Sequence, residues 1–302
     1  MSMKKNSSVL LVFITMMLFG LAFSQDMFPY HTPVQPAADT ADLFAPTAEG
    51  TSIHFLNVGQ GDAILICSGG SSILIDGGDT GSGSIVVEYL TRLGIARLDA
   101  VIATHPHEEH IGGLPAVLES FPVDAFYASD EPGDTAIFQQ LMDTAAAKGL
   151  EPQFPDIGDV ISFRHSDATL TTLAPGPDSA EIFSSRNSNA WSLVFRLDAE
   201  GCSALFPGDA TFSVEQAMLQ QNETALNCDI LKVGSHGANI SSCQRFLQAV
   251  SPAYAVISCG EHEPPAPEVS DALESLHAVV LKTSADGTVV LYLQDGEISR
   301  VS

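Results

Sequence analysis

Residues 104–110 read THPHEEH, and this stretch of three histidines and two adjacent carboxylates decides how the rest of the chain is interpreted. It follows an apolar run that predicts a buried strand over residues 98–103. On an extended loop the first two histidines point the same way, and the second glutamate and the last histidine can turn back from the start of the next helix. Imidazole nitrogen and carboxylate oxygen suit Zn²⁺ and related divalent ions, so the stretch predicts a metal site, with a surface histidine cluster as the alternative. The candidate ligands here are His105, His107, Glu109 and His110.

Three short motifs elsewhere in the chain favour the metal site over the surface cluster. IDGG at residues 75–78, FPGD at residues 206–209 and KVGSHG at residues 232–237 each end a predicted strand. Loops that follow strands carry chemistry because the sheet holds them rigidly. Each motif places one ligand-type side chain there, which alone would be an ordinary turn residue, and together the three strengthen the prediction. They are Asp76, Asp209 and His236.

From Thr51 onward, β-prone runs alternate with segments of helical spacing. This pattern predicts two sheets covered on the outside by helices. Strands are predicted over residues 52–57, 62–67, 72–76, 98–103, 123–128, 160–163, 168–173, 192–197, 203–206, 229–233, 254–259, 278–282 and 288–293. Helices are predicted over residues 86–93, 111–119, 135–148, 214–221, 242–250 and 268–276.

The order of the motifs resembles the metallo-β-lactamase fold, in which D-G-G, H-x-H-x-x-H, G-D and H-G follow one another. FLNVGQGDA at residues 55–63 is similar to the opening motif of the C-terminal domain of ComEC-type competence proteins. LDAV at residues 98–101 and LKV at residues 231–233 match the same family, and the resemblance covers residues 51–293. We therefore expect a free-standing, exported relative of that domain.

The resemblance implies an α/β protein with a four-layer αββα sandwich and a site at one edge of its two sheets. It also implies a hydrolase with one or two divalent ions, zinc by preference and manganese as the alternative, whose activated water attacks carbonyl or phosphorus. The implied roles are His105 and His107 for the first ion, Glu109, His110 and His236 for the second, Asp209 as the bridge and Asp76 as a residue that orients the loop. The implied catalytic residues are Asp209, His236 and Glu109.

The chain departs from the family's pattern at several places around this site. Glu109 stands where the family usually has Asp, and its extra methylene would weaken or shift the second ion. Ser235 precedes His236 where the family commonly has a second histidine, and only Asn189 remains of the family's N-N-x. The third histidine that lactamases proper place around the first ion has no counterpart here. These changes keep a non-catalytic binding or scaffold module open as an alternative.

Two more side chains are candidates for contact with an anionic substrate. Lys232 ends a predicted strand beside the proposed site, and a salt-bridged strand end is the alternative reading. His262 lies two residues before the position where the family has G-H-P, and an ordinary loop residue is the alternative.

The N-terminal residues have the pattern of a secretory signal peptide. Two lysines precede an apolar run of 15 residues (9–23), and small residues suited to cleavage follow before Gln25. An uncleaved membrane anchor is the alternative, although the run is short for a span of about 20 residues. We expect a signal peptide over residues 1–24, a flexible linker over residues 25–50 and one metallo-β-lactamase-like domain over residues 51–302.

The charge of the chain restricts its partners. Thirty-seven acidic residues stand against 12 basic ones, giving a formal net charge of −25. Such a chain repels polyanions, which excludes a broad basic nucleic-acid surface and leaves phosphate contacts to bound metal. We expect phosphodiester cleavage, with DNA or an anionic envelope polymer as the substrate. The alternatives are the scaffold module and an ester or lactone hydrolase; β-lactam cleavage is disfavoured because the third histidine is missing.

Overall fold

A computed structural model describes residues 49–131, 133–176 and 187–301. The predicted signal peptide and residues 25–48 of the predicted linker lie outside the described residues. Among the helices of the described ranges, none is both long and apolar enough to cross a membrane.

Within the described residues, the first sheet has eight strands in the order β15-β14-β1-β2-β3-β4-β5-β6. The strands from β15 to β3 pair antiparallel, and those from β3 to β6 pair parallel. β1 to β3 are fully buried, and β4 is buried at every residue except Asp99, because both faces of this part of the sheet are covered. The bounds are β1 Thr51–Phe55, β2 Ile64–Ser68, β3 Ser71–Ile75, β4 Leu98–Ala103, β5 Val123–Ala128, β6 Pro152–Gln153, β14 Val289–Gln294 and β15 Glu297–Val301.

The described residues of the second sheet form seven strands in the order β13-β12-β11-β10-β9-β8-β7. The strands from β7 to β10 pair antiparallel, and those from β10 to β13 pair parallel. Each sheet therefore has a parallel half whose strands end at a common edge. The bounds are β7 Val160–Ser162, β8 Thr169–Ala174, β9 Val194–Ala199, β10 Cys202–Phe206, β11 Ile230–Lys232, β12 Tyr254–Ile257 and β13 Val279–Lys282.

Eight α-helices and three short 3₁₀ helices accompany the sheets in the described ranges. The α-helices are α1 Gly83–Arg92, α2 Glu108–Ile111, α3 Leu114–Ser120, α4 Ala136–Ala147, α5 Phe212–Asn222, α6 Gln244–Val250, α7 Pro267–Ser275 and α8 Thr283–Asp286. The 3₁₀ helices are Ser188–Trp191, Glu223–Leu226 and Gly234–Gly237.

Three apolar clusters account for the layers. One lies between the sheets and contains Phe55 from the first and Phe195 and Phe206 from the second. The second packs the first sheet against helices α1, α3 and α4, and the third packs the second sheet against helices α5, α6 and α7. The fold is therefore the four-layer αββα sandwich that the sequence predicts.

Candidate metal centre

The THPHEEH stretch leaves β4 as a loop and turns into helix α2. His105 and His110 are buried, whereas the side chain of His107 is 37% exposed. His105 Nε2 lies 3.1 Å from His107 Nδ1, and the ring centroids of His105 and His110 are 4.2 Å apart. The loop brings three histidine rings to one point and leaves one of them open to solvent.

Asp76, just past the end of β3, fixes this loop. Its Oδ1 accepts a hydrogen bond from the backbone N–H of Thr104 at 2.8 Å, and its Oδ2 accepts one from the Thr104 hydroxyl at 2.7 Å. His110 Nδ1 donates to the same Oδ2 at 2.8 Å. Because this bond occupies Nδ1, the free Nε2 of His110 faces the centre of the site.

Asp209 comes from the FPGD turn after β10 and lies among the histidines. Its backbone N–H donates to the Ser192 hydroxyl at 3.2 Å, which fixes the turn. Its Oδ1 lies 3.4 Å from His110 Nε2 and 3.7 Å from His236 Nε2, whereas its Oδ2 lies 3.9 Å from His105 Nε2. One carboxylate thus presents a different oxygen to each of two histidine sets.

His236 completes the second set from the loop after β11. Ser235 and His236 both have left-handed backbone, with φ of 46° and 54°, a strained conformation for residues other than glycine. His236 Nδ1 donates to the carbonyl oxygen of Ser258 at 3.1 Å, which turns Nε2 toward Asp209. The strain therefore coincides with a side chain held for a particular contact.

These side chains form two potential ion sites that share one residue. His105, His107 and Asp209 offer ligand atoms within 4.8 Å of one another, and so do His110, Asp209 and His236. His110 Nε2, His236 Nε2 and Asp209 Oδ1 are buried and have no hydrogen-bond partner among the described residues. Unpartnered nitrogen and oxygen atoms that point inward at one another fit divalent cations such as zinc or manganese.

Burial and neighbouring charges set the pKa values of this cluster. Burial alone would raise the pKa of Asp209, but the rings of His110 and His236 hold it well below its usual value. Burial would lower the pKa of His110, but Asp209 and Asp76 raise it well above the usual value. Burial lowers the pKa of His105 well below its usual value. Asp209 is therefore ionised and His105 neutral, the states in which both can bind a cation, whereas His110 has to release a proton before it binds one.

Sequence reasoning did not single out one buried acid, Asp62. Its Oδ2 lies 2.5 Å from Lys232 Nζ and 3.8 Å from His110 Nδ1, and its Oδ1 lies 3.9 Å from His236 Nδ1. Burial would raise its pKa, but Lys232 and His236 bring that pKa below its usual value. The GQGDA motif at residues 59–63 contains Asp62 and was the available signal.

The structure does not gather every candidate residue at the centre. The carboxylate of Glu109 is 40% exposed and lies 3.9 Å from His107 Nδ1, outside the converging ligand groups. Lys232 is fully buried, and its ammonium group faces Asp62, so it has no exposed surface to offer a substrate. His262 is exposed in the loop between β12 and α7 and contributes no atom to the converging groups of the described residues.

Comparison with known sequences finds similarity to the metallo-beta-lactamase superfamily and to competence proteins. The profile of the metallo-beta-lactamase superfamily matches residues 56–262. The chain is 29% identical to ComE operon protein 3 of Bacillus subtilis (strain 168) over 269 residues, which cover 80% of this chain and 33% of the relative. It is 28% identical to Recombination protein 2 of Haemophilus influenzae over 263 residues, which cover 84% of this chain and 30% of the relative. The chain spans about a third of the length of these two relatives.

Comparison with solved structures identifies the same fold. The metallo-beta-lactamase fold protein YhfI from Bacillus subtilis superposes with a TM-score of 0.52 at 13% identity, covering 78% of this chain and 96% of YhfI. At this identity the likeness concerns the fold alone. The sequence profile spans more than half of the chain and includes the THPHEEH loop, Asp209 and His236. The chain, which resembles ComEC-type competence proteins most specifically in its GQGDA motif, belongs to the metallo-beta-lactamase superfamily.

Proposed function

We propose that this protein is an exported, metal-dependent hydrolase that cleaves phosphodiester bonds with two divalent ions, zinc by preference and manganese as the alternative. One observation carries the proposal: Asp209 presents Oδ1 to His110 and His236 and Oδ2 to His105. A carboxylate shared between two ligand sets is the arrangement of two-metal sites, which act on phosphate esters by stabilising both the attacking and the leaving oxygen.

The chain's own residues divide the work of binding. His105, His107 and Asp209 would hold one ion, and His110, Asp209 and His236 the other. When bound, the ions would supply Lewis acidity and a nucleophilic water at neutral pH. Asp76 and the carbonyl oxygen of Ser258 hold the rings of His110 and His236 in the orientation that this requires.

We propose that Glu109 acts as the general base and general acid of the reaction. Its carboxylate is 40% exposed and lies 3.9 Å from His107 Nδ1, at the open side of the cluster. A half-exposed carboxylate at this place can accept a proton from the attacking water or return one to the leaving oxygen. The resemblance also implies a role as ligand of the second ion, and a variant described below separates the two roles.

The proposed substrate is a short or single-stranded phosphodiester, of DNA or of an anionic envelope polymer. The name of Recombination protein 2, a relative three times as long, supports a nucleic-acid substrate. The net charge of −25 opposes the approach of long duplex DNA, so local recognition has to come from the bound ions.

Metal analysis combined with a substrate panel tests the proposal. The purified full chain, reconstituted with Zn²⁺ or Mn²⁺, should carry two ions per chain by mass spectrometry. It should hydrolyse bis(p-nitrophenyl) phosphate and single-stranded DNA faster than a thioester, a lactone or a β-lactam. A chain with no ion would favour the scaffold alternative, and selective cleavage of the thioester or lactone would favour the ester hydrolase.

Export is proposed from the N-terminal pattern and needs its own test. A tagged chain expressed in a bacterium should be recovered outside the cytoplasmic membrane and begin near Gln25, as measured by mass spectrometry of its N-terminus. Retention of residues 1–24 in a membrane fraction would favour the anchor, and full-length chain in the cytosol would contradict export.

A further inference from the structure

The ligand sets leave the GQGDA motif at residues 59–63 unexplained, although the motif lies beside them. It forms the loop between β1 and β2, at the edge of the first sheet where the site lies. The ligands come from two halves of the molecule. His105, His107 and His110 follow β4 of the first sheet, and Asp209 and His236 follow β10 and β11 of the second.

The GQGDA loop is bound to the histidine-bearing half through its backbone. The N–H of Asp62 donates to the carbonyl oxygen of Glu109 at 3.2 Å, and the carbonyl oxygen of Asp62 accepts from Gly78 N at 2.7 Å. A Cβ at Gly61 would overlap the carbonyl oxygen of Glu109, so only glycine allows this close approach. The loop therefore lies directly against helix α2 and the turn after Asp76.

The same loop reaches the other half through its side chains. Gln60 Oε1 accepts a hydrogen bond from Gly260 N, in the loop after β12, at 2.8 Å. Asp62 Oδ2 lies 2.5 Å from Nζ of Lys232, the last residue of β11 and the fourth before His236. Asp62 and Lys232 are both buried, which makes the pairing strongly dependent on geometry.

We propose that the loop of Gln60, Gly61 and Asp62 is a positioning device that holds the two ligand-bearing halves in register, with the buried Asp62–Lys232 ion pair as its main contact. Asp62 lies within 4 Å of His110 Nδ1 and His236 Nδ1, behind both histidines of the second set. The device therefore sets the affinity of the ion held by His110, Asp209 and His236 more than that of the ion held by His105 and His107. This inference rests on the proposed two-ion site.

The charge of Lys232 disfavours a third metal ion beside the carboxylates of Asp62 and Asp76. Asp62, Asp76 and His110 have ligand atoms within 4.8 Å of one another. The ammonium group of Lys232 lies against Asp62 at that place, and a fixed positive charge there repels a divalent cation. Lys232 is thus a positioning residue whose ammonium group occupies the place that a metal ion could otherwise take.

The test is a metal titration of two variants, Asp62→Asn and Gln60→Met, in the full chain. Co²⁺ absorbance and isothermal titration report the two sites separately from activity. Both variants should weaken the second ion, by about 10–100-fold for Asp62→Asn as for other residues that support a ligand, and leave the first within about twofold. Arg196→Met is the matched control, because it breaks an ion pair with Asp198 in the second sheet, and it should leave both ions unchanged.

Lys232→Met leaves the buried Asp62 carboxylate unpaired, and the double variant Asp62→Asn/Lys232→Met removes both charges together. The double variant should fold at least as well as Lys232→Met and still show the weakened second ion. The inference is overturned if wild type binds two ions but Asp62→Asn and Gln60→Met bind both as tightly, or lose affinity equally at both. A wild-type chain that binds no ion would overturn the proposed function as well, so the two failures are distinguishable.

Discussion

His107 is the ligand candidate that a solvent-borne ion meets first, because its side chain is 37% exposed while His105 and His110 are buried. We expect His107→Ala to lose one ion per chain and to lower kcat by about 10²-fold or more, since bound metal contributes several kcal/mol to transition-state stabilisation. Metal content by mass spectrometry and hydrolysis of bis(p-nitrophenyl) phosphate measure the two effects.

The control for His107→Ala is His165→Ala, at an exposed histidine in the segment between β7 and β8. It should keep both ions and full turnover. If His107→Ala keeps both ions as well, the first ion has other ligands than those assigned here.

Glu109→Gln separates proton exchange from metal binding, because an amide keeps the shape of the side chain but loses its charge and its basicity. We expect two ions per chain and a kcat lowered by about 10²–10⁴-fold, the contribution of a general acid or base. Loss of one ion would instead identify Glu109 as the ligand that the resemblance implies, and Glu109→Asp should then tighten that ion.

For single residues, the sequence indicates which side chains form the site but not which of their atoms come into contact. His105, His107, His110, Asp209 and His236 converge because each follows a strand or lies in one short loop. Asp62 pairs with Lys232, 170 positions along the chain, and only the packing of two sheets brings them together. The orientation of the Glu109 side chain depends on the first turn of α2, and the spacing of residues in the sequence could not predict it either.

Gly113, the last residue before helix α3, shows how the elements around the site constrain one another. Its backbone is helical, with φ of −83°, so alanine would meet no backbone strain there. A Cβ at this position would overlap the carbonyl oxygen of Gly77, in the turn after Asp76. We expect Gly113→Ala to lower the free energy of unfolding by about 3 kcal/mol or more through overpacking, as measured by urea denaturation.

Gly94→Ala is the matched control for that overlap. Gly94 follows helix α1 with φ of +71°, and nothing lies within 4 Å of the Cβ it would gain. Gly94→Ala should lower the free energy of unfolding only through the strain of a left-handed backbone, by about 1–2 kcal/mol. Equal costs for the two variants would mean that the loops of Gly77 and Gly113 can separate.

Glu215 of helix α5 couples stability to pH. It is buried and accepts hydrogen bonds from the backbone N–H groups of Ser242 and Cys243, just before α6. Burial raises its pKa from 4.5 to about 7. A raised pKa means that the stability from this group is fully present below pH 4.5 and is lost as pH rises through 7.

Glu215→Gln should remove that dependence. The variant should be less stable than wild type at pH 5, because an amide has one acceptor oxygen for two N–H groups. The difference in the free energy of unfolding between the two proteins should shrink by about 2–3 kcal/mol between pH 5 and pH 8, since one pKa unit corresponds to about 1.4 kcal/mol. Urea denaturation of both proteins at four pH values gives the comparison, and parallel profiles would show that Glu215 titrates as it does in the unfolded chain.

Buried apolar runs in the sequence predicted most strands, with bounds within about two residues of those observed. The predicted strands at residues 98–103 and 123–128 agree with β4 and β5 at both ends. β15 was missed because Glu297–Val301 has no buried residue and pairs only along the edge of the sheet. The predicted helix over residues 111–119 begins only at Leu114, as α3, and Ile111 ends the separate short helix α2. Gly112 and Gly113, between the two helices, pack closely against the turns after Asp76.

The net charge of −25 acts on the whole molecule. Repulsion should slow the encounter with long single-stranded DNA at low ionic strength, and salt should relieve it. We expect kcat/KM on a long oligonucleotide to rise about tenfold between 20 and 150 mM NaCl, within the range of electrostatic effects on association. Hydrolysis of bis(p-nitrophenyl) phosphate should change less than about twofold, because that substrate carries one charge.

A basic nuclease would show the opposite response, losing affinity for DNA as salt is added. The two substrates measured side by side in the same buffers therefore separate long-range repulsion from effects of salt on the bound ions. If kcat/KM on DNA falls as salt is added, the protein has a local basic surface that binds the strand.

The pairing of β1 with β14 has a consequence for the order in which the protein is made. Thr51 lies opposite Leu293, so one edge of β1 stays unpaired until β14 has been synthesised. A ribosome releases the N-terminal half long before its partner strand exists, and contacts so distant in sequence form slowly. If the chain is exported as proposed, threading from its N-terminus precedes the completion of its first sheet. A stop codon anywhere before β14 would yield a product with an unpaired, aggregation-prone strand.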